Sequence, residues 1–293
     1  MTLDVVVVTY ESARHLPRCL AGLPAGTDVV VVDNASTDGS AELAQALGAR
    51  VVRNPGNLGF AAAANQGARL GRSDLVLFLN PDAVLDPVSL ERLAAALGDD
   101  EGVFAAGPRL RHPDGGDQRA WWPFPSASGT WIEALGLHRL RRAAPGADGS
   151  VPFVVGACLL ARRRHFEALG GFDERYWLYG EEADLCYRAA RRGWTVRYVP
   201  EAAAEHVGGA SGHAIGSLAF EHFQRGTEHF ILEHHGRRAL LAHRLGLLTG
   251  SLLRLPLLYA GRRSAAAARI AVRRAATARL AGVLLRHPTL VAP

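Results

Sequence analysis

Lysine is absent from all 293 residues, cysteine occurs three times, and no acidic residue follows Glu233. The missing lysine carries no functional weight. Cys19, Cys158 and Cys186 are far apart and odd in number, which fits neither a zinc spacing nor a disulfide framework and points to a reducing compartment. Long apolar runs are also missing at the start. Val5 to Val8 is too short for a secretory signal, lacks a basic flank and ends in Thr9-Tyr10-Glu11. With 21% charged and 48% hydrophobic residues, the chain is not globally disordered and can bury a real core. The acid shortage is local. Eleven arginines follow Glu233, whereas the preceding chain holds 22 arginines against 28 acids, a formal −6. The basic character belongs to the tail and not to the main body.

What is present is an alternation of short apolar runs and helical stretches. Leu3 to Val8, Val29 to Val32, Arg50 to Arg53 and Leu75 to Leu79 read as strands. Helices are expected over Ser12 to Leu23, Asp38 to Leu47 and Ala61 to Leu70. This predicts an α/β fold with a mostly parallel central sheet covered on both faces, whose ligands bind beyond the carboxyl ends of the strands. From Pro108 to Gly149 the pattern blurs into loops. An apolar run, Val151 to Ala161, suits a buried strand, followed by a helix over Glu182 to Arg192 and a strand over Thr195 to Val199. His206 to Gly216 is rich in Gly and Ser, and beyond Ser217 the chain looks helical, with breaks at Pro256 and Pro288. No internal repeat is visible.

Several polar residues stand just after apolar runs. Asp33 follows Val29 to Val32, and Asp82 follows Leu75 to Leu79 by way of Asn80-Pro81. A carboxylate there can accept from a base or ribose, or bind a cation; it can equally be a helix cap. Asn57, Gly59 and Phe60 lie in "NPGNLGF", a turn whose glycine permits close backbone approach before a helix N-terminus. Glu181, Glu182 and Asp184 open a helix, where acids are stabilised by the dipole or serve as a general base. Trp177 offers a flat apolar face to a sugar, or simply core.

Taken together, "VVVVTYESARHLPRCLAGL", "VVVVDNASTDGS", "NPGNLGFAAAANQGARL", "LVLFLNPDA", "GGFDERYWLYGEEADLCYRAARRGW" and "EHVGGAS", in this order across about residues 3 to 211, resemble the family-2 inverting glycosyltransferases, and among them bacterial rhamnosyltransferase-like members. The resemblance implies the single-domain GT-A fold over residues 1–235, followed by a basic helical extension over 236–293. It implies a nucleotide site at Thr9, Tyr10, Glu11, Asp33, Asn57, Gly59, Phe60, Asn65 and Asn80. Asn80-Pro81-Asp82 stands where the family has Asp-x-Asp, so Asp82 is the clear carboxylate for Mg2+ or Mn2+, with His206 in the place of the late histidine ligand. A lone histidine is otherwise more often structural. The diphosphate would supply further oxygens.

The family's general base aligns with Glu182, with Asp184 the second candidate and Trp177 and Glu181 near the sugar or acceptor. The implied reaction is one in-line displacement with inversion, from a nucleoside diphosphate sugar, L-rhamnose by preference, to a hydroxyl of a cell-wall or surface-polysaccharide acceptor; a lipid-linked acceptor would fit contact of the basic tail with a membrane. Gly208, Gly209 and Ser211 are expected to fold over the diphosphate and exclude water.

In the tail, Arg262, Arg269 and Arg273 share one helical face, with Arg263 and Arg274 beside it. This suits a helix on an anionic membrane surface, at the inner face of a bacterial cell membrane, or a helical bundle with a solvated charged side. No nucleic-acid motif accompanies the charge. The alternatives are a non-catalytic nucleotide-sugar or polysaccharide-binding protein, because Asn80 and Glu182 depart from the common pattern, and a nucleotidyltransferase, which would need a Gly-rich phosphate loop after the first strand.

Overall fold

The structure, a computed structural model, describes residues 2–137, 144–208 and 216–260. These belong to two compact units. The first runs to Phe124 and takes up again over Pro145–Phe223; the second joins the stretch from Pro125 to the chain from Gln224 onward.

The first unit begins as alternating strands and helices: β1 (Leu3–Thr9), α1 (Leu16–Ala21), β2 (Asp28–Asp33), α2 (Ser40–Ala46), β3 (Arg50–Arg53), α3 (Phe60–Leu70) and β4 (Leu75–Leu79). β5 (Ala83–Leu85), α4 (Pro87–Leu97), β6 (Val103–Arg111), β7 (Asp117–Gln118) and β8 (Trp121–Trp122) follow. In the second unit α5 spans Ala127–Ala134. The chain returns to the first unit with β9 (Ser150–Val151), β10 (Phe153–Val154), β11 (Cys158–Arg162), α6 (Arg163–Ala168), α7 (Glu181–Ala190) and β12 (Thr195–His206), and α8 (Gly216–Ala260) runs from it into the second.

The main sheet has the order β3-β2-β1-β4-β11-β6-β12-β5. β3, β2, β1 and β4 are parallel, as are β6 and β12, while β11 is inserted antiparallel between β4 and β6. The valine runs explain the centre. Val5, Val7 and Val31 pack into one core, Val30 and Val32 with Ala63 into the other, so both faces are covered.

Two departures from the sequence pattern shape the site. The expected single strand over Val151 to Ala161 is split, and only β11 joins β4. The strand begun at Thr195 continues to His206. Its register shifts between Val199 and Ala203, around Pro200, and Ala203 donates to Ser89 Oγ at 3.0 Å. A bulge absorbs the proline and carries the strand end onward to pair with β5. The blurred Pro108 to Gly149 region holds β7, β8 and α5, the helix capped by Ser126 Oγ accepting from Gly129 N.

In the second unit, Trp131 Nε1 donates to Ala242 O at 2.9 Å, and a Cβ at Gly250 would lie 2.9 Å from Ala134 Cα, so glycine lets α5 and α8 approach closely. α8 breaks at Gly236 (φ 81°, ψ 176°), the residue at which the extension was expected to start. Glu228, before the break, pairs with Arg244, after it, at 2.6 Å, which ties both halves into the same unit. No described helix is long and apolar enough to cross a membrane. Gly209, Ser211, Arg262, Arg263, Arg269, Arg273 and Arg274 lie outside the described residues.

Candidate active site

The chemistry-bearing residues collect at the carboxyl ends of β1, β2 and β4 and at the end of β12. Backbone strain collects there too. Glu11 (φ 52°), Ala35 (φ 63°) and Tyr179 (φ 69°) are the non-glycine residues with positive φ among the described residues. Such conformations are costly and persist where surrounding structure fixes them, as at binding sites.

On the β1/β2 side the loops are knitted by hydrogen bonds. Thr9 Oγ1 donates to Asp33 Oδ1 at 2.9 Å, and Ser36 N to Asp33 Oδ2 at 3.0 Å. Glu11 Oε1 accepts from Thr37 N at 2.6 Å and binds its hydroxyl at 3.1 Å. Tyr10 is exposed beside them. Asn34 Nδ2 donates to Gly59 O, and Asn54 Nδ2 to Asn34 Oδ1. Asn57 Oδ1 takes the Gly59 N–H at 3.0 Å and so holds the turn before α3. Phe60 N donates to Trp177 O at 2.7 Å. Gly59 is required here: its φ is 83°, and a Cβ would lie 2.3 Å from Trp177 O. Asn65 is buried and exchanges hydrogen bonds with the Phe172 backbone, so its side chain ties α3 to the loop after α6.

On the β4/β12 side, Asn80 N donates to Ala157 O, which fixes the turn after β4. Asp82 opens β5. Because His206 pairs with Ala83, sheet register brings the His206 ring to Asp82, with Nε2 3.4 Å from Oδ1 and both side chains mostly buried. Among the described residues no three His, Cys, Asp or Glu side chains gather to hold a metal by themselves. A cation at Asp82 and His206 would therefore complete its shell with ligand oxygens, which suits a hard divalent ion beside a diphosphate.

The α7 acids have distinct surroundings. Glu182 is partly exposed. Its Oε2 accepts from Gly180 N at 3.3 Å, and a Cβ at Gly156 would meet it at 3.8 Å. Burial raises its carboxyl above the usual range, against backbone hydrogen bonds that include Gly180 and Gly156. Glu181 is buried, and burial together with the Glu182 charge raises it well above normal. Asp184 is also buried, accepting from Arg188 Nε at 2.7 Å, while the same guanidinium donates to Leu169 O and Gly171 O. It braces the start of α7, which leaves Glu182 as the acid with access to solvent.

Tyr179 connects the two groups of acids. Its phenol is raised by burial and then by the charges of Glu181, Glu182 and Asp82. Trp177 stacks on His222 at 4.4 Å, leaving that face occupied. Two residues near the Asp82–His206 pair carry no sequence signal. His15 feels the Asp82 charge, though burial and Arg14 hold its imidazole below the ordinary value. Gln118 bonds to His206 from 88 residues away.

Comparisons with known proteins fit this geometry. The model of glycosyl transferase family 2 matches residues 4–170, and that of the N-terminal domain of galactosyltransferase matches 141–208. The N-acetylglucosaminyl-diphospho-decaprenol L-rhamnosyltransferase of Mycobacterium tuberculosis is 35% identical over 232 residues, covering 70% of this chain and 75% of the relative. Among solved structures, a mannosyltransferase from Pyrobaculum calidifontis in complex with GDP-Man and Mn2+ superposes with a TM-score of 0.61 at 20% identity, covering 95% of this chain and 81% of that one. Glucosyl-3-phosphoglycerate synthase from Mycobacterium tuberculosis, in complex with Mn2+, UDP and glucosyl-3-phosphoglycerate, gives 0.53 at 18% identity, covering 78% and 79%.

Proposed function

The chain belongs to glycosyl transferase family 2 and has the GT-A fold, and from that premise we propose that it transfers a sugar, L-rhamnose by preference, from a nucleoside diphosphate to a hydroxyl of a lipid-linked glycan acceptor, with inversion. The observation that carries the reading is the meeting of Asp82 with His206, Nε2 3.4 Å from Oδ1, just beyond β4 at the ligand-binding end of the sheet.

In this reading Asp33, Thr9, Glu11 and the Asn57–Phe60 turn hold the nucleoside, with Asn80 in the turn beside the diphosphate. Asp82 and His206 hold Mg2+ or Mn2+. When bound, the cation neutralises charge developing on the departing diphosphate. Glu182 takes the acceptor proton. Its raised carboxyl is a stronger base than an ordinary glutamate, and the Gly180 and Gly156 N–H groups orient it. An oxygen nucleophile positioned by a carboxylate and opposed to the leaving group gives a single displacement, hence inversion.

Contact with a membrane fits a lipid-linked acceptor and would place the enzyme at the cytoplasmic face. Support comes from α8, where Leu241, Leu245 and Leu252 are exposed on one face, with the exposed Arg237 and Arg238 just after the break at Gly236. An apolar stripe edged by arginine, in a tail without acids, suits an anionic bilayer surface. Cosedimentation with anionic vesicles should fall several-fold in a Leu241→Ser/Leu245→Ser double variant; unchanged binding refutes this surface.

The enzymatic test is a panel of dTDP-, UDP- and GDP-sugars with a polyprenyl-diphosphate N-acetylglucosamine acceptor and Mn2+. Transfer abolished by Glu182→Gln is expected. Nucleotide binding without turnover, indifferent to Glu182→Gln, would instead mark a binding protein.

A further inference from the structure

The side chain that decides which nitrogen of His206 carries the proton is Gln118. It lies in β7, which hangs on the end of β6 through the pairing of Leu110 with Gln118. The amide nitrogen of Gln118 donates to the backbone carbonyl of His206 and to Nδ1 of His112, the latter at 2.7 Å. A carbonyl oxygen can only accept, so the amide cannot be turned the other way round without setting two oxygens against each other. Its Oε1 therefore faces His206 Nδ1, at 3.0 Å.

An amide oxygen only accepts, so Nδ1 is the nitrogen that bears hydrogen. In a neutral imidazole the other nitrogen, Nε2, then carries a lone pair. That lone pair sits 3.4 Å from Asp82 Oδ1, with the two side chains 12% and 7% exposed. Two acceptors facing each other away from water repel unless something positive stands between them.

We propose that Gln118 is a positioning residue that locks His206 in its Nδ1–H tautomer, so that Nε2 and the Asp82 carboxylate present their lone pairs together to a divalent cation. This rests on the metal role proposed for Asp82 and His206. Metal-binding histidines characteristically donate their second ring N–H to an outer partner, and loss of that partner weakens the metal by about ten- to a hundred-fold. Here the partner is a neutral amide, itself satisfied on both sides. It fixes the ring without adding charge to the site.

The tautomer is read without metal. Long-range proton–nitrogen correlation spectra of the full chain, labelled at histidine nitrogen and held near pH 8, lie above the ordinary imidazole pKa of about 6.5. The His206 signals are identified by their loss in His206→Asn. The Nδ1–H pattern is expected in the wild type and in Gln118→Glu, which keeps an acceptor, and a mixture or the Nε2–H pattern in Gln118→Leu.

In parallel, Mn2+ titration in the presence of UDP, followed by electron paramagnetic resonance, should show affinity falling about ten- to a hundred-fold in Gln118→Leu and only a few-fold in Gln118→Glu. An Nε2–H ring or an imidazolium in the wild type overturns the proposal, as does an unchanged tautomer in Gln118→Leu. Should that variant not fold, the wild-type spectrum still decides, because an Nε2–H ring or an imidazolium there is fatal by itself. A tautomer switch in a protein that never binds Mn2+ upholds the hold of Gln118 on the ring and refutes the metal reading beneath it.

Discussion

Asp33 and Asp82 each follow an apolar strand of one sheet, but their carboxylates have opposite surroundings. Both Asp33 oxygens accept from this chain, one from Thr9 and one from Ser36, within loops further fastened by Glu11, Asn34 and Asn54. Asp82 instead points an oxygen at the Nε2 of His206. Among the described residues, buried Glu181 Oε2 has no hydrogen-bond partner, and the Glu182 carboxyl is held by backbone N–H groups alone, with no cation paired to it. The first side is preorganised by satisfied polar groups, which favours holding a ligand of fixed shape. The second keeps charge with few partners, which favours proton transfer and cation binding.

Four perturbations sharpen or break this contrast. The largest effect is expected from Glu182→Gln: turnover should fall about 10²- to 10⁴-fold, the usual worth of a general base, with UDP affinity unchanged by calorimetry. A matching loss of affinity would erase the division of labour. Next, Asp33→Ala strands the Thr9 hydroxyl and the Ser36 N–H, each costing about 1–3 kcal/mol. Nucleotide affinity should fall about 10- to 100-fold, while turnover at saturation holds.

The third is pH dependence. Burial raises the Glu182 carboxyl, and the base works ionised, so kcat/KM should rise with pH through a value above the ordinary glutamate range. Below it, activity should drop about tenfold per unit. Asp33→Ala should leave that acid limb where it is. The smallest effect is Gly59→Ala, at the meeting point of the two sides, where the new Cβ would press on Trp177 O. Overpacking of this kind costs about 1–3 kcal/mol, at roughly 2–4 °C per kcal/mol by calorimetric melting. A variant as stable as wild type would show that the Gly59–Trp177 contact is loose.

The β1/β2 side was legible because it is local. Valine runs announce β1 and β2, and the residues that finish them act on loops directly after them. The β4/β12 side depends on pairings across the chain. His206 reaches Asp82 only because a bulge at Pro200 lets β12 run on to β5, and proline in an apolar run reads as a stop. Gln118 sits in a two-residue strand that no periodicity reveals. α5 escaped notice because its eight residues carry little apolar alternation, although Ser126 is an ordinary cap. The bracing job of Asp184 was readable in principle: Arg188 follows four residues later on the same helical face.

The most direct test is a crystal structure with Mn2+ and a nucleoside diphosphate, read from manganese anomalous scattering. A single peak is expected within about 2.1 Å of an Asp82 oxygen and His206 Nε2, a typical hard-cation or imidazole bond length, with the Glu182 carboxylate across the same opening. Manganese bound elsewhere, or Glu182 facing away from the nucleotide, would contradict it.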